Sequence, residues 1–78
     1  MDLEATMKPI YINTEFITLG QALKMIHAIS SGGEGKRFLA SHKVTVNGEL
    51  ETRRGRKLYP SMTISVDEKD LFEVLRET

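Results

Sequence analysis

Hydrophobic residues recur along this chain at two different periods. Leu19, Ala22, Leu23 and Ile26 follow helical spacing, with Met25 and Ile29 flanking them, and predict a first helix from Thr18 to about Ile29. Thr18 is a suitable N-cap. Gln21, three residues on, completes a capping box, and Ser30-Ser31-Gly32-Gly33 ends the helix. A second helix is predicted from Glu34 to His42, with Phe38 and Leu39 on its apolar face. Gly35 inside it lowers helix propensity by ~1 kcal/mol relative to Ala, which implies close approach of another backbone, of either the first helix or a ligand.

The rest of the chain follows the two-residue period of strands. Val44-Thr45-Val46 and Glu49-Leu50-Glu51 flank Asn47-Gly48, the pair suited to a type I′ hairpin turn because both central residues need positive φ. Pro60-Ser61 reads as a turn. Met62, Ile64 and Val66 alternate with Thr63 and Ser65 as a half-buried strand, and Asp67 to Asp70 is a polar turn. Leu71 to Leu75 fits either period; a strand after a tight turn is the reading adopted. Lys8 to Asn13 predicts a short strand with Pro9 near its start, where a missing donor is tolerated. Phe38 and Phe72 are expected in the core. The fold class is therefore α+β: two short helices packed on a small, mostly antiparallel sheet, with edge strands from both ends. Residues 1–7 show no period and are expected to be flexible, leaving 8–78 as a single domain.

Composition narrows the class. A chain of 78 residues has room for one small core of modest stability. It holds no cysteine, so disulfides and cysteine metal sites are excluded, in keeping with a cytoplasmic setting. Asp2 and Glu4 do not suit a signal peptide, and no run approaches the ~20 apolar residues of a membrane span. Charged residues at 28% and hydrophobic residues at 40% suit a globular domain rather than a disordered tail.

Charge changes the picture most. The formal net charge is +0, yet residues 32–57 hold Lys36, Arg37, Lys43, Arg53, Arg54, Arg56 and Lys57 against Glu34, Glu49 and Glu51, a net of +4. Local clustering matters more than the total, because fields near a surface are set within a Debye length of ~8 Å. Arg53-Arg54-Gly55-Arg56-Lys57 lies on a connection, so its side chains can track a phosphate backbone, and arginine grips phosphate with a planar fork. The alternative is a solvated loop whose charges pair with Glu49 and Glu51. Gly32 and Gly33 precede a helix N-terminus, where backbone N–H groups favour an anion; the alternative there is a plain turn between packed helices. Tyr59 follows the basic run and could stack on a base or pack in the core.

Other chemistries fall away. Gly35-Lys36 is no nucleotide-binding P-loop, since Ser30 stands where that loop needs Gly and Arg37 where it needs Ser or Thr. His27 and His42, without cysteine or carboxylates at ligand spacing, do not suggest a metal site. No serine lies in a nucleophile elbow, and Glu49 and Glu51, on one strand face, lack a pocket. No enzyme and no cofactor are expected.

Three segments in order carry a family resemblance. Glu15-Phe16-Ile17-Thr18-Leu19-Gly20-Gln21, Ser31-Gly32-Gly33 with the Gly35-Lys36-Arg37 helix, and Val44-Thr45-Val46-Asn47-Gly48-Glu49 leading to Arg53-Arg54-Gly55-Arg56-Lys57-Leu58-Tyr59 resemble the alpha-L RNA-binding motif. That motif was first described in ribosomal small-subunit protein four, and the sequence more closely resembles its short stand-alone bacterial YaaA/YbcJ-like branch. The resemblance spans about Tyr11 to Val66, with a motif core near 17–66. It implies a cytoplasmic, non-catalytic protein that binds structured RNA, ribosomal RNA above all, during subunit assembly. Two family arginines are missing: Gly32-Gly33 stand for the usual Ser-Arg, and Ile17 stands for a further Arg. Ser61-Met62 replaces the usual Gly-Asp.

The expectation is a monomer that uses neither a membrane nor a small-molecule substrate. Its second helix and basic run would form one groove for structured RNA, with Lys36, Arg37, Lys43, Arg53, Arg54, Arg56 and Lys57 as contacts, Gly32 and Gly33 as backbone phosphate ligands and Tyr59 as a stacking residue. The competing class is a protein-interaction module whose basic face docks an acidic partner in a ribosomal or replication complex.

Overall fold

The computed structural model describes residues 7–77, and of the flexible end expected at 1–7 all but Met7 lies outside the described residues. The elements are β1 (Lys8–Ile12), β2 (Ile17–Thr18), α1 (Leu19–Met25), α2 (Glu34–Ser41), β3 (Val44–Val46), β4 (Glu49–Leu50), β5 (Lys57–Leu58), β6 (Thr63–Val66) and β7 (Asp70–Arg76). Five strands form one sheet in the order β1-β7-β6-β3-β4, and β2 pairs with β5 in a separate ribbon. Every pairing is antiparallel except β1 with β7. This is the expected α+β class.

The two-residue period of the strands decides which sheet face is covered. The register sets Val44 opposite Val66, Val46 opposite Ile64, Ile64 opposite Phe72 and Ile10 opposite Val74. All of these are buried, together with Leu19, Ala22, Leu23, Ile29 and Leu39 of the helical layer. Thr45, Ser65 and Leu71, one residue out of phase, align on the other face and stay partly exposed. The C-terminal strand is not the edge that the sequence suggested. Phe72 and Val74 are buried because β7 is paired on both sides, by β1 and β6, and the second edge is β4.

The turns follow backbone chemistry. Asn47 and Gly48 take φ +51 and +87 and join Val46 to Glu49, as a type I′ turn requires. The β6–β7 turn uses the same left-handed pair on Asp67 and Glu68, at φ +53 and +59, closed by the Lys69 N–H donating to the Val66 carbonyl at 3.1 Å. Ser61, a residue with a side chain, also has positive φ, +77.

Helix α1 stops at Met25, four residues before the predicted end. His27 takes the left-handed conformation (φ +65), its N–H donates to the Lys24 carbonyl at 3.0 Å, and the Ala28 N–H donates to the Leu23 carbonyl at 2.9 Å. This is the Schellman pattern, normally built on glycine. A histidine at that position hid it from the sequence. Ile29 is buried as a loop residue rather than a helical one. The start of α1 is as expected: the Gln21 N–H donates to the Thr18 hydroxyl at 3.2 Å and the Thr18 N–H to the Gln21 side-chain oxygen at 2.8 Å.

Candidate nucleic-acid interface

The basic run is held by its backbone. Ribbon β2–β5, with Ile17 opposite Leu58 and Thr18 opposite Lys57, brings residues 53–57 to the N-terminus of α1. There the Leu19 N–H donates to the Arg56 carbonyl at 2.8 Å and the Gly20 N–H to the Arg54 carbonyl at 2.9 Å. The first-turn N–H groups of a helix lack intrahelical partners, so the loop carbonyls satisfy α1 while α1 fixes the loop. A Cβ on Gly20 would meet the Arg54 carbonyl oxygen at 3.4 Å, the near limit of ordinary contact.

Below the loop sits Glu51, 6% exposed and the only buried charged residue among those described. Its carboxylate accepts from Arg53 Nε at 2.9 Å, Arg53 Nη2 at 3.3 Å, the Arg53 backbone N–H at 3.0 Å and Arg56 Nη1 at 2.8 Å. The Arg53 side-chain bond, then its backbone N–H, with a smaller share from Arg56, outweigh burial and lower the Glu51 carboxyl from 4.5 to about 2. The sequence alternative of Glu49 and Glu51 as twin partners is half met. β4 ends at Leu50, so the strand alternation that would keep them on one face is lost; Glu51 turns inward and Glu49 stays exposed. The ion pairs do not silence the arginines. A guanidinium has five N–H donors, of which Glu51 engages two from Arg53 and one from Arg56. The Arg53 side chain remains 74% exposed.

Arg54 reaches the other way. Its Nη1 donates to the Gly32 carbonyl at 2.9 Å, and its stem lies where a Cβ on Gly35 would point, 3.6 Å from Arg54 Cδ and from Ile29 Cδ1. Gly35 is thus close to side chains at ordinary distance, not to a second backbone as expected. This contact joins the loop to the turn before α2. Gly32 and Gly33 are exposed there, and the Ser30 and Ser31 N–H groups just upstream donate to the Glu34 carboxylate.

The other sequence candidates divide. Lys57 places its ammonium 4.8 Å from the Phe16 ring centroid, and Phe16 packs tilted against Tyr59 at 5.5 Å. Lys36 is exposed and one residue beyond Gly35, about a quarter-turn of helix from the loop contact. Arg37 is two residues beyond, about 200° round, and lines a different hollow with Ile29, Phe38 and His42. Lys43 is grouped with the acidic β6–β7 turn: its ammonium lies 2.6 Å from Glu68, and its backbone N–H donates to Asp67 at 2.9 Å. Asp67 also accepts from His42 Nδ1 at 2.8 Å, and that bond, ahead of the Lys43 N–H, holds its carboxyl below the usual range. Tyr59 is 42% exposed rather than a core residue.

Two shallow hollows meet at Gly55. One of about 610 Å³ is lined by Arg53, Arg56, Lys57, Tyr59 and Met62; one of about 350 Å³ is lined by Gln21, Lys24, Gly32 and Arg54. Lys24 was missed in the sequence. Its only signal was a place on the polar side of α1, one turn after Gln21. Among the described residues no cluster of acidic, histidine or cysteine side chains could hold a metal, and no helix is long and apolar enough to cross a membrane.

A family model described as the S4 domain matches residues 10–74. A protein of Bacillus subtilis (strain 168) named "Probable ribosome maturation protein RlbA" is 49% identical over 67 residues, covering 86% of this chain and 94% of that protein. The match takes in the helices, the ribbon and the basic loop, and the chain belongs to the S4 domain family, the alpha-L motif that its sequence resembles.

Proposed function

We propose that this chain is a non-catalytic RNA-binding protein that grips structured RNA, ribosomal RNA in particular, and acts in ribosome maturation in the cytoplasm. Family membership and the name of the B. subtilis relative support the class of activity. One observation carries the site: the Arg54 and Arg56 carbonyls are bonded to the N-terminus of α1, which holds the 53–57 loop with Arg53, Arg54 and Lys57 exposed and Arg56 half-buried, Arg53 and Arg56 being set in place by a buried glutamate. Such an array suits successive phosphates of a backbone more than scattered surface charges.

In this reading Arg53, Arg54, Arg56 and Lys57 make the principal contacts. Lys24 and Lys36 extend them, with the amides of Gly32 and Gly33 available to a phosphate beside Arg54. Arg37 and Lys43, facing other parts of the surface, contribute less. RNA helices are recognised largely by shape and through 2′-hydroxyls and phosphates, so discrimination among stems would be modest.

The test is binding of a ribosomal RNA fragment across a salt series, comparing wild type with the Arg53→Ala/Arg54→Ala/Arg56→Ala variant. Each phosphate contact adds roughly 0.7–0.9 to the steepness of log affinity against log salt, so the triple variant should lose about 2 from that slope along with affinity. Equal slopes and equal affinities refute the site. Capture of an acidic protein that survives nuclease treatment, with no RNA retained, refutes the class.

A further inference from the structure

The larger hollow beside the basic loop is more than a phosphate track requires. Cations alone would serve a backbone, yet this open recess of about 610 Å³ has Tyr59 and Met62 in its wall beside Arg53, Arg56 and Lys57. We propose that it receives one unpaired nucleotide of the bound RNA, with the base against Tyr59 and the adjoining phosphate on Arg53 and Arg56. The inference rests on the RNA-binding reading and adds the form of RNA preferred: a stem carrying a bulged or loop nucleotide rather than a continuous duplex.

The wall of the hollow is preorganised. Tyr59-Pro60-Ser61-Met62 is a tight turn closed by the Met62 N–H donating to the Tyr59 carbonyl at 3.1 Å. The Tyr59 N–H points at the Met62 sulfur at 3.1 Å, and the Ser61 N–H donates to the Val74 carbonyl at 2.7 Å, tying the turn to β7. The Tyr59 ring leans on Phe16 and is still 42% exposed, so an aromatic surface is held in place without cover. Across the hollow, Glu51 orients both guanidiniums and leaves donors on each free. A nucleotide matches both walls at once, because every base has a π-face and every phosphate is an anion. A continuous duplex offers only the phosphate, since its bases are stacked on one another.

The probes are two RNA hairpins of the same stem, one with a single bulged 4-thiouridine and one fully paired. Wild type should bind the bulged hairpin about tenfold more tightly at equal salt. Tyr59→Leu should bring that ratio close to one and leave paired-hairpin binding within about twofold, whereas Tyr59→Phe, which keeps the ring and its contact with Phe16, should preserve the ratio. Irradiation of the wild-type complex should crosslink the thiouridine within residues 53–62, a readout that does not depend on how the variants fold. A ratio of one for wild type, a ratio unchanged in Tyr59→Leu, or a crosslink outside that segment overturns the nucleotide site; if paired-hairpin binding still shows its salt slope, the RNA reading stands without it. Absence of binding to either hairpin overturns both.

Discussion

Replacing Glu51 with Gln keeps the size of the side chain and removes its charge, so the resulting loss measures what the buried carboxylate does. Gln offers one acceptor oxygen where Glu51 offers two, and its NH₂ would face the donors of Arg53 and Arg56. The carboxyl is lowered from 4.5 to about 2, chiefly by the Arg53 side chain. At about 1.4 kcal/mol for each tenfold change in acidity, that drop corresponds to about 3.4 kcal/mol. Arg53 is 74% exposed and water screens it, so about 2 kcal/mol is expected at neutral pH. The sign follows from the lowered value: the carboxylate stabilises the fold fully above the ordinary range near 4.5 and loses this effect as pH falls towards 2. Urea unfolding of wild type and Glu51→Gln should therefore show a gap of about 2 kcal/mol at pH 7 that closes between about pH 5 and pH 2. A gap that does not vary with pH, or no gap at pH 7, refutes the reasoning. RNA affinity gives a second readout. The variant has one negative charge fewer, and a field effect alone would tighten binding; loss of the two oriented guanidiniums should weaken it instead.

Three other outcomes are expected. Ser61→Gly relieves an L-residue at φ +77, a conformation costing about 1–2 kcal/mol, against a smaller loss from greater freedom of the unfolded chain, so thermal unfolding should shift upward by a few degrees, about 0.5–1 kcal/mol. Asp67→Asn should lower stability at pH 7 and match wild type well below pH 3.8, because the His42 and Lys43 bonds hold the Asp67 carboxyl below that ordinary value and their effect disappears once it is protonated; chemical denaturation at several pH values checks this. Lys43→Ala and Arg37→Ala should change RNA affinity less than about threefold, and Arg54→Ala roughly tenfold, in one titration at fixed salt.

The elements legible in the sequence were those whose local chemistry agrees with the fold. The capping box of Thr18 and Gln21, the Asn47-Gly48 turn and the alternation through Ile64 and Val66 are each fixed by nearby backbone needs, and each stands where the sequence set it. Misreadings arose where an uncommon residue takes a glycine's conformation. His27 ends α1 early, and nothing in Ile26-His27-Ala28 signals a left-handed residue. The place of β7 inside the sheet depends on pairing with β1 more than fifty residues away, which no local pattern encodes. At the site, the arginine run was plain as composition. Its division was not: Arg54 turns to Gly32 while Arg53 and Arg56 converge on Glu51, because these two close a turn, the Arg56 N–H donating to the Arg53 carbonyl at 3.2 Å, with Arg54 at its tip.

That pinning also explains how a chain of zero net charge can present a cationic surface without unfolding locally. Four cations on a free loop would repel one another and sample many shapes, and ordering them on RNA would cost affinity. Here the cost is met during folding. The N-terminus of α1, with its partial positive charge, takes the loop carbonyls, and a carboxylate beneath takes part of the charge of two arginines. Acidic residues that balance the chain lie instead at the β6–β7 turn, where Asp67 and Glu68 engage His42 and Lys43. The place of the cationic surface is thus set by which backbone groups need partners, and neutralising Glu68 or Asp67 would alter the total charge while leaving the loop geometry intact.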